Sequence, residues 1–242
     1  MEVGLDYRTS NTRGPRVMQN FVASTIDELH AVIDRIPLPL RSVVFRGVKR
    51  SDYTLTCGLG RVSDPSSVLK TENDLLWLFR SYARSLVGTS IMSDWDWLAL
   101  AQHHGVPTRL LDWTRNLLAA LYFAVEDSTV TTPPPVDGAI YVISIGVVLD
   151  PATAAPPSEI KAASLVLPLH CSPRITAQSG LFTIHPAPCV PLTGEGVVAK
   201  IRIPAECKRA MRERLDMYGV NRFSLFPDLD GLASYTKWLK TS

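Results

Sequence analysis

Runs of strand character and segments of helical periodicity follow one another in this chain without a regular βαβ rhythm. Arg41-Ser42-Val43-Val44-Phe45-Arg46-Gly47 and Gly138-Ala139-Ile140-Tyr141-Val142-Ile143-Ser144-Ile145 have the β-branched, apolar composition of buried strands. Around them, apolar residues recur at helical intervals. A doubly wound fold needs strict alternation of strand and helix. The irregular order instead predicts an α+β protein with a mixed or mostly antiparallel sheet and flanking helices. No internal repeat and no dividing linker is visible, so residues 18–242 are read as one domain. Residues 1–17, polar and rich in Arg, Thr and Asn, are read as a mobile lead-in. A chain of 242 residues can bury a full core without disulfide or metal staples.

Local signals place the remaining elements. Thr25-Ile26-Asp27-Glu28 has capping-box spacing ahead of Leu29, Ile33 and Ile36, and Pro37 and Pro39 must end that helix. Tyr53 to Gly60 supplies a further strand. Thr71 opens a helix with Leu75, Leu76, Phe79, Ala83 and Leu86 on its apolar side. Ser93-Asp94-Trp95-Asp96 caps the next helix, and Gly105 suits the left-handed residue that ends it. Pro107 rules out helix from Val106 to Thr114, whereas Asn116 to Glu126 reads as a buried apolar helix. Thr131 to Pro135 is a surface connection and Asp150 to Ser158 a mobile loop; Arg174 to Ile184 and Gly196 to Ile203 are strands. Pro204 begins a helix over Ala205 to Met217, and Asp228 caps a last one holding Leu232, Tyr235 and Leu239.

Composition excludes several classes of function. The balance of 25 basic and 23 acidic residues leaves +2, too little for bulk attraction to nucleic acid or to a membrane. Cys57, Cys171, Cys189 and Cys207 form no C-x-x-C pair and have no histidine at zinc-finger spacing. They read as reduced thiols of a cytoplasmic protein. No apolar run is long enough to span a bilayer, and the first residues lack the apolar core of a signal peptide. There is no P-loop, no G-x-S-x-G and no acidic cluster at two-metal spacing. His103 and His104, adjacent on a helix, point about 100° apart and cannot share a metal, so no metal is expected.

Four blocks have a specific order. They are Phe45-Arg46-Gly47; Gln102-His103-His104-Gly105-Val106-Pro107-Thr108-Arg109-Leu110-Leu111-Asp112-Trp113-Thr114 with Ala120-Leu121-Tyr122-Phe123-Ala124; Arg174 to Phe182; and Leu225 to Leu232. In order and spacing they resemble the FRG family, which takes its name from the first tripeptide. The resemblance implies a bacterial or viral setting near mobile or defence genes, and hence a toxin or phage-defence effector. A fainter likeness to ADP-ribosyltransferases implies that fold and NAD as ligand. Arg46 then stands on the early strand, Thr108 and the helix through Phe123 follow, and Gln178-Ser179-Gly180 stands where those enzymes carry a glutamate. The missing acid separates this chain from the usual transferase.

The residues themselves leave alternatives open. Arg46, at a strand end, offers a planar fork to a phosphate, or else a salt bridge to Asp112 or Asp230. Under the nucleotide reading Arg46, Gln178 and His104 are the catalytic candidates. Arg46, Gly47, Thr108, Arg109, Trp113, Tyr122 and Phe123 then hold the cofactor, the aromatics walling a flat ring. Asp112 is assigned a structural role, bridging Arg109 or capping the following helix, as Thr114 also can; Asp228 and Asp230 are assigned to the head of the last helix. The alternative is a non-catalytic module that holds nucleic acid or a protein in the same cleft, with Arg41, Lys49, Arg50, Arg61, Arg109 and Arg115 as a basic rim.

Overall fold

The computed structural model describes residues 18–37, 43–87, 93–126, 136–144, 148–168, 173–194 and 196–241. In chain order the elements are β1 (Gln19–Val22), α1 (Ile26–Asp34), β2 (Val43–Val48), α2 (Gly58–Val62), α3 (Val68–Ala83), α4 (Asp94–His103), β3 (Leu110–Thr114) and α5 (Leu117–Val125). Then come β4 (Gly138–Ser144), β5 (Val148–Leu149), β6 (Ser164–Val166), α6 (Pro173–Ala177), β7 (Gly180–Ile184), β8 (Val197–Ile203), α7 (Lys208–Met217), α8 (Arg222–Leu225) and α9 (Leu229–Thr241). The strands form one eight-stranded sheet in the order β1-β8-β4-β2-β3-β7-β6-β5. β1 lies parallel to β8 and β5 to β6, while every other neighbouring pair is antiparallel. The α+β class and the mixed sheet thus agree with the pattern of the sequence.

The pleat of β2 explains its sequence. Val43 and Phe45 point into a cluster with α1, α5 and α7, whereas Val44 and Val48 point into a second cluster with Leu55, Leu59, Leu111 and Trp113. Arg46 therefore shares a face with Val44 and Val48, and Gly47 shares the face of Phe45. There α5 lies so close that a Cβ on Gly47 would come within 1.8 Å of the Ala120 carbonyl oxygen. The glycine is what lets helix and strand backbones meet. A third cluster joins Trp95 and Leu98 of α4 to Leu110, Ile175, Phe182 and Ile184.

Ser93 caps α4 in a full capping box with Asp96, and Gly105 ends that helix at φ +83°. Asp228 accepts from the Gly231 amide at 2.6 Å at the head of α9, where Asp230 is a first-turn residue. Several expectations need correction. Tyr53 to Gly60 is not a strand. Leu55, Cys57 and Leu59 are buried, but they pin a turn and the start of α2, with the Leu59 amide on the Thr108 carbonyl and the Leu55 carbonyl on the Leu192 amide. Arg174 to Ile184 divides into α6 and β7, because Pro173 suits a first helical turn and Ser179 turns the chain at φ +49°. Leu86 lies past the end of α3 and is exposed. Asn116, rather than Asp112 or Thr114, caps α5, accepting from Leu118 and Ala119, while Thr114 accepts from the Asn116 amide. The stretch from Asp150 to Ser158 is anchored at Pro151 and Pro157, which are buried, and at Ala154, which packs against the third cluster, while the residues between them are exposed. β1, β5 and β6, of two to four residues, are too short to register as periodicity. The lead-in 1–17, Pro39, Arg41, the 131–135 connection and Cys171 lie outside the described residues.

Candidate functional site

β2 and β3 share a single register pair, Phe45 with Thr114, and part beyond it. A cavity of about 720 Å³ lies where they part, closed by β7, the C-terminal end of α4 with its His103, His104 and Gly105, and α6. This size suits a small-molecule ligand. Arg46, Gly47, His104, Asp112, Trp113, Phe123 and Gln178 all line it, so three blocks distant in sequence meet at one place.

Arg46 is 18% exposed, and its NH1 donates to the Asp112 carbonyl at 2.7 Å and approaches Asp112 Oδ2 at 3.5 Å. β2 does not pair with β3 at this point, so the arginine side chain takes a carbonyl the sheet leaves free. Its NH2 has no hydrogen-bond partner among the described residues, and its Nε is buried without one. Burial pulls the guanidinium below the ordinary arginine value; Asp112 opposes that shift and Arg61 adds to it. An arginine remains charged even so.

Asp112 is 56% exposed and does not bridge Arg109. Arg109 lies 3% exposed on the far side of β3, where its Nε meets the Glu72 carboxylate at 2.7 and 2.9 Å and its NH2 also donates to Glu72. Its NH1 reaches the Pro157 carbonyl at 3.3 Å. A neighbour three residues away offered an obvious partner, but the strand pleat points the two side chains apart and α3 brings a carboxylate across. Arg109 is therefore a core ion pair and no part of the cleft, where the sequence reading had placed it as a cofactor ligand.

Thr108 is buried and stands behind the cleft wall, its hydroxyl donating to Gln102 Oε1 at 2.6 Å. Tyr122 is also buried, turned toward Glu126 at 3.3 Å, and burial followed by the Glu126 charge pushes its phenol up to about 12. Neither lines the cavity. Trp113 lines it but is fixed in its floor, with Nε1 donating to Thr183 Oγ1 at 2.9 Å. Thr183 lies 2.9 Å from Nε2 of buried His185. With the tryptophan donating, the hydroxyl proton is free to go to Nε2, and burial, then Arg46, holds His185 down to about 4. Phe123 stays half-exposed, edge-on to Phe226 at 6.0 Å. Gln178 gives Nε2 to the Leu225 carbonyl at 3.0 Å, so part of its donor capacity is already used. His104 is exposed at the rim, its ring 4.9 Å from that of His103. Burial, then His104 and Arg174, lower His103. Asp228 and Asp230 do not line the cavity.

Four residues had no place in the nucleotide reading of the sequence. Arg61 and Arg174 line the cavity, and Gln102 donates to Asp112 at 3.0 Å. Arg174 lies over the Phe226 ring at 4.3 Å and has no carboxylate partner among the described residues. Arg222 lies over the same ring at 3.6 Å but is paired with Glu126. Glu72 is the fourth. Gln102 and Arg174 stood inside the quoted blocks and Arg61 in the basic rim of the alternative reading; nothing in the sequence marked Glu72. Of the basic rim of the alternative reading, Arg109 is buried on Glu72 and Arg50 is paired with Asp52 at 2.7 Å, while Lys49 and Arg61 line one cavity with Arg46. Among the described residues, no group of three or more His, Cys, Asp or Glu is arranged to hold a metal ion, and no helix is long and apolar enough to cross a membrane.

Together these features define a mixed-sheet α+β protein whose sheet opens into a cleft walled by arginines. Residues 41–132 match the family model described as the FRG domain. The blocks beginning at Arg174 and Leu225 lie beyond the matched span, yet Arg174, Gln178 and Phe182 complete the cavity. No curated protein and no solved structure matches the chain.

Proposed function

We propose that the cleft binds a nucleotide through its phosphates, with Arg46 as anchor and NAD as the ligand implied by the likeness to ADP-ribosyltransferases. The observation that carries this reading is a charge imbalance. Arg46, Arg61 and Arg174 line a cavity in which Asp112 is the one carboxylate among the described residues. Guanidinium groups in a partly desolvated wall favour phosphate, which they grip with charge-assisted hydrogen bonds. A neighbouring cavity of about 680 Å³ shares Arg46, Gly47, Arg61 and Phe123 with the first. A dinucleotide carries its diphosphate at the middle and a flat ring at each end, and two arginines at a shared waist with Phe123 facing both sides fit that outline. Bound NAD would supply a glycosidic bond with a stable leaving base. Gln178 can hydrogen-bond near such a bond but cannot take a proton, so the reading is one of binding, in the toxin or defence setting the FRG resemblance implies.

The test is calorimetric titration with NAD, using wild type and Arg46→Ala. Loss of a charge-assisted phosphate contact should weaken binding at least about tenfold. The fold should survive, because the carboxylate left behind is exposed and still held by Gln102. A wild type that gives no heat with NAD, ADP or ATP, coupled with a variant that melts early, would make Arg46 a structural ion and end the proposal.

A further inference from the structure

We propose that Asp112 is a ligand-facing hydrogen-bond acceptor that selects, within the nucleotide class named above, ligands bearing a free sugar hydroxyl beside their phosphate. This rests on the nucleotide reading and adds to it a residue and a specificity. Asp112 stands on β3, a rigid element paired along its length with β7. Its side chain is oriented by a directed chain of hydrogen bonds. The Leu110 amide donates to Thr108 Oγ1 at 3.0 Å, and the Thr108 hydroxyl donates to Gln102 Oε1 at 2.6 Å. That bond identifies the amide oxygen of Gln102, and its Nε2 then donates to Asp112 Oδ2 at 3.0 Å. Thr108 and Gln102, buried and half-buried, thereby act as positioning residues for the carboxylate.

All the support falls on Oδ2. Arg46 NH1 reaches the same oxygen at 3.5 Å, and Oδ1 has no partner among the described residues. A rigidly held carboxylate with one spare oxygen thus faces a cavity otherwise furnished with arginines. Its negative charge repels phosphate, so its presence beside the anchor is useful to a phosphate ligand only if that ligand brings a donor to meet it. The position says which donor. Asp112 Oδ2 lies 3.5 Å from Arg46 NH1, so whatever Oδ1 meets is next to the phosphate that Arg46 holds. In a nucleotide that group is the sugar, and its donors are hydroxyls; the amino group of the base lies further away.

The experiment measures affinities for ADP, 2′,3′-dideoxy-ADP and inorganic pyrophosphate in wild type, Asp112→Ala and Gln102→Ala. The readout is the ratio of ADP to dideoxy-ADP affinity, because removing a carboxylate beside Arg46 also changes the pull on any phosphate. A hydrogen bond to a charged acceptor corresponds to about tenfold or more, so wild type should favour ADP by at least that factor. The ratio should fall to within about twofold of one in Asp112→Ala and lie between the two in Gln102→Ala, a graded loss that a merely structural role would not give. Thermal melts should confirm that both variants fold, as the exposure of Asp112 implies. A wild-type ratio near one despite pyrophosphate binding overturns the hydroxyl assignment alone, as does a ratio retained in Asp112→Ala. A wild type that binds none of the three probes overturns the nucleotide reading with it.

Discussion

Replacing Glu72 by glutamine removes one charge from the Arg109–Glu72 pair while keeping its volume. Both side chains are nearly sealed from water, at 3% and 6% exposure. Arg109 would keep a weak acceptor in the Pro157 carbonyl at 3.3 Å, and the introduced amide oxygen could still accept one N–H, but no carboxylate would remain to balance the guanidinium. Breaking a buried pair from one side costs about 3–5 kcal/mol, and the retained hydrogen bond places this case near about 3. That is a large share of a stability that for most domains is about 5–15 kcal/mol. With a urea dependence of about 3 kcal/mol per molar for a chain of this size, the unfolding midpoint should fall by about 1 M. Glu213→Gln, which removes the partner of Arg209 in an exposed i, i+4 pair, should leave the midpoint where it is. If Glu72→Gln moved the midpoint by no more than that control, the pair would be worth no more than a surface contact. The reassignment of Arg109 to the core would then fail.

Two glycine substitutions should separate packing from backbone strain. Gly47→Ala drives a methyl to 1.8 Å from the Ala120 oxygen and should cost about 3 kcal/mol, whereas Gly105→Ala meets open space and should cost only the left-handed penalty, about 1–2 kcal/mol, both read from urea midpoints. His185 ties stability to pH. Its folded value near 4 lies below the ordinary 6.5, so the unfolded chain takes up its proton first as pH falls, and stability present above 6.5 is lost on the way down to about 4. Over that window the loss should reach about 3 kcal/mol, and melts of His185→Asn should show a flatter slope between those pH values than wild type.

Much of this protein was written locally. Ser93 with Asp96, Gly105, Asp228 and the apolar run of α5 act on neighbours within a turn, so caps, helix ends and the main strands could be read before any fold was known. The mixed sheet followed from the order of those elements. The cleft residues Arg46, Asp112, Phe123 and Gln178 were legible as members of the quoted blocks, although Arg46 and Asp112 stand within β2 and β3 rather than at their ends. What those side chains face was not legible. Arg109 and Asp112 are three residues apart and opposite in charge, yet the pleat of β3 sends one to Glu72 on α3 and leaves the other at Gln102 and Arg46. Sequence proximity suggested a bridge between them; strand geometry, which alternates faces, forbids it. Glu72, 37 positions from Arg109, has no local sign of its role, for a buried ion pair is decided only when α3 closes over the sheet. The arginine wall is tertiary in the same sense. Arg46, Arg61 and Arg174 come from a strand and two short helices, and their shared field arises only where β2 and β3 part.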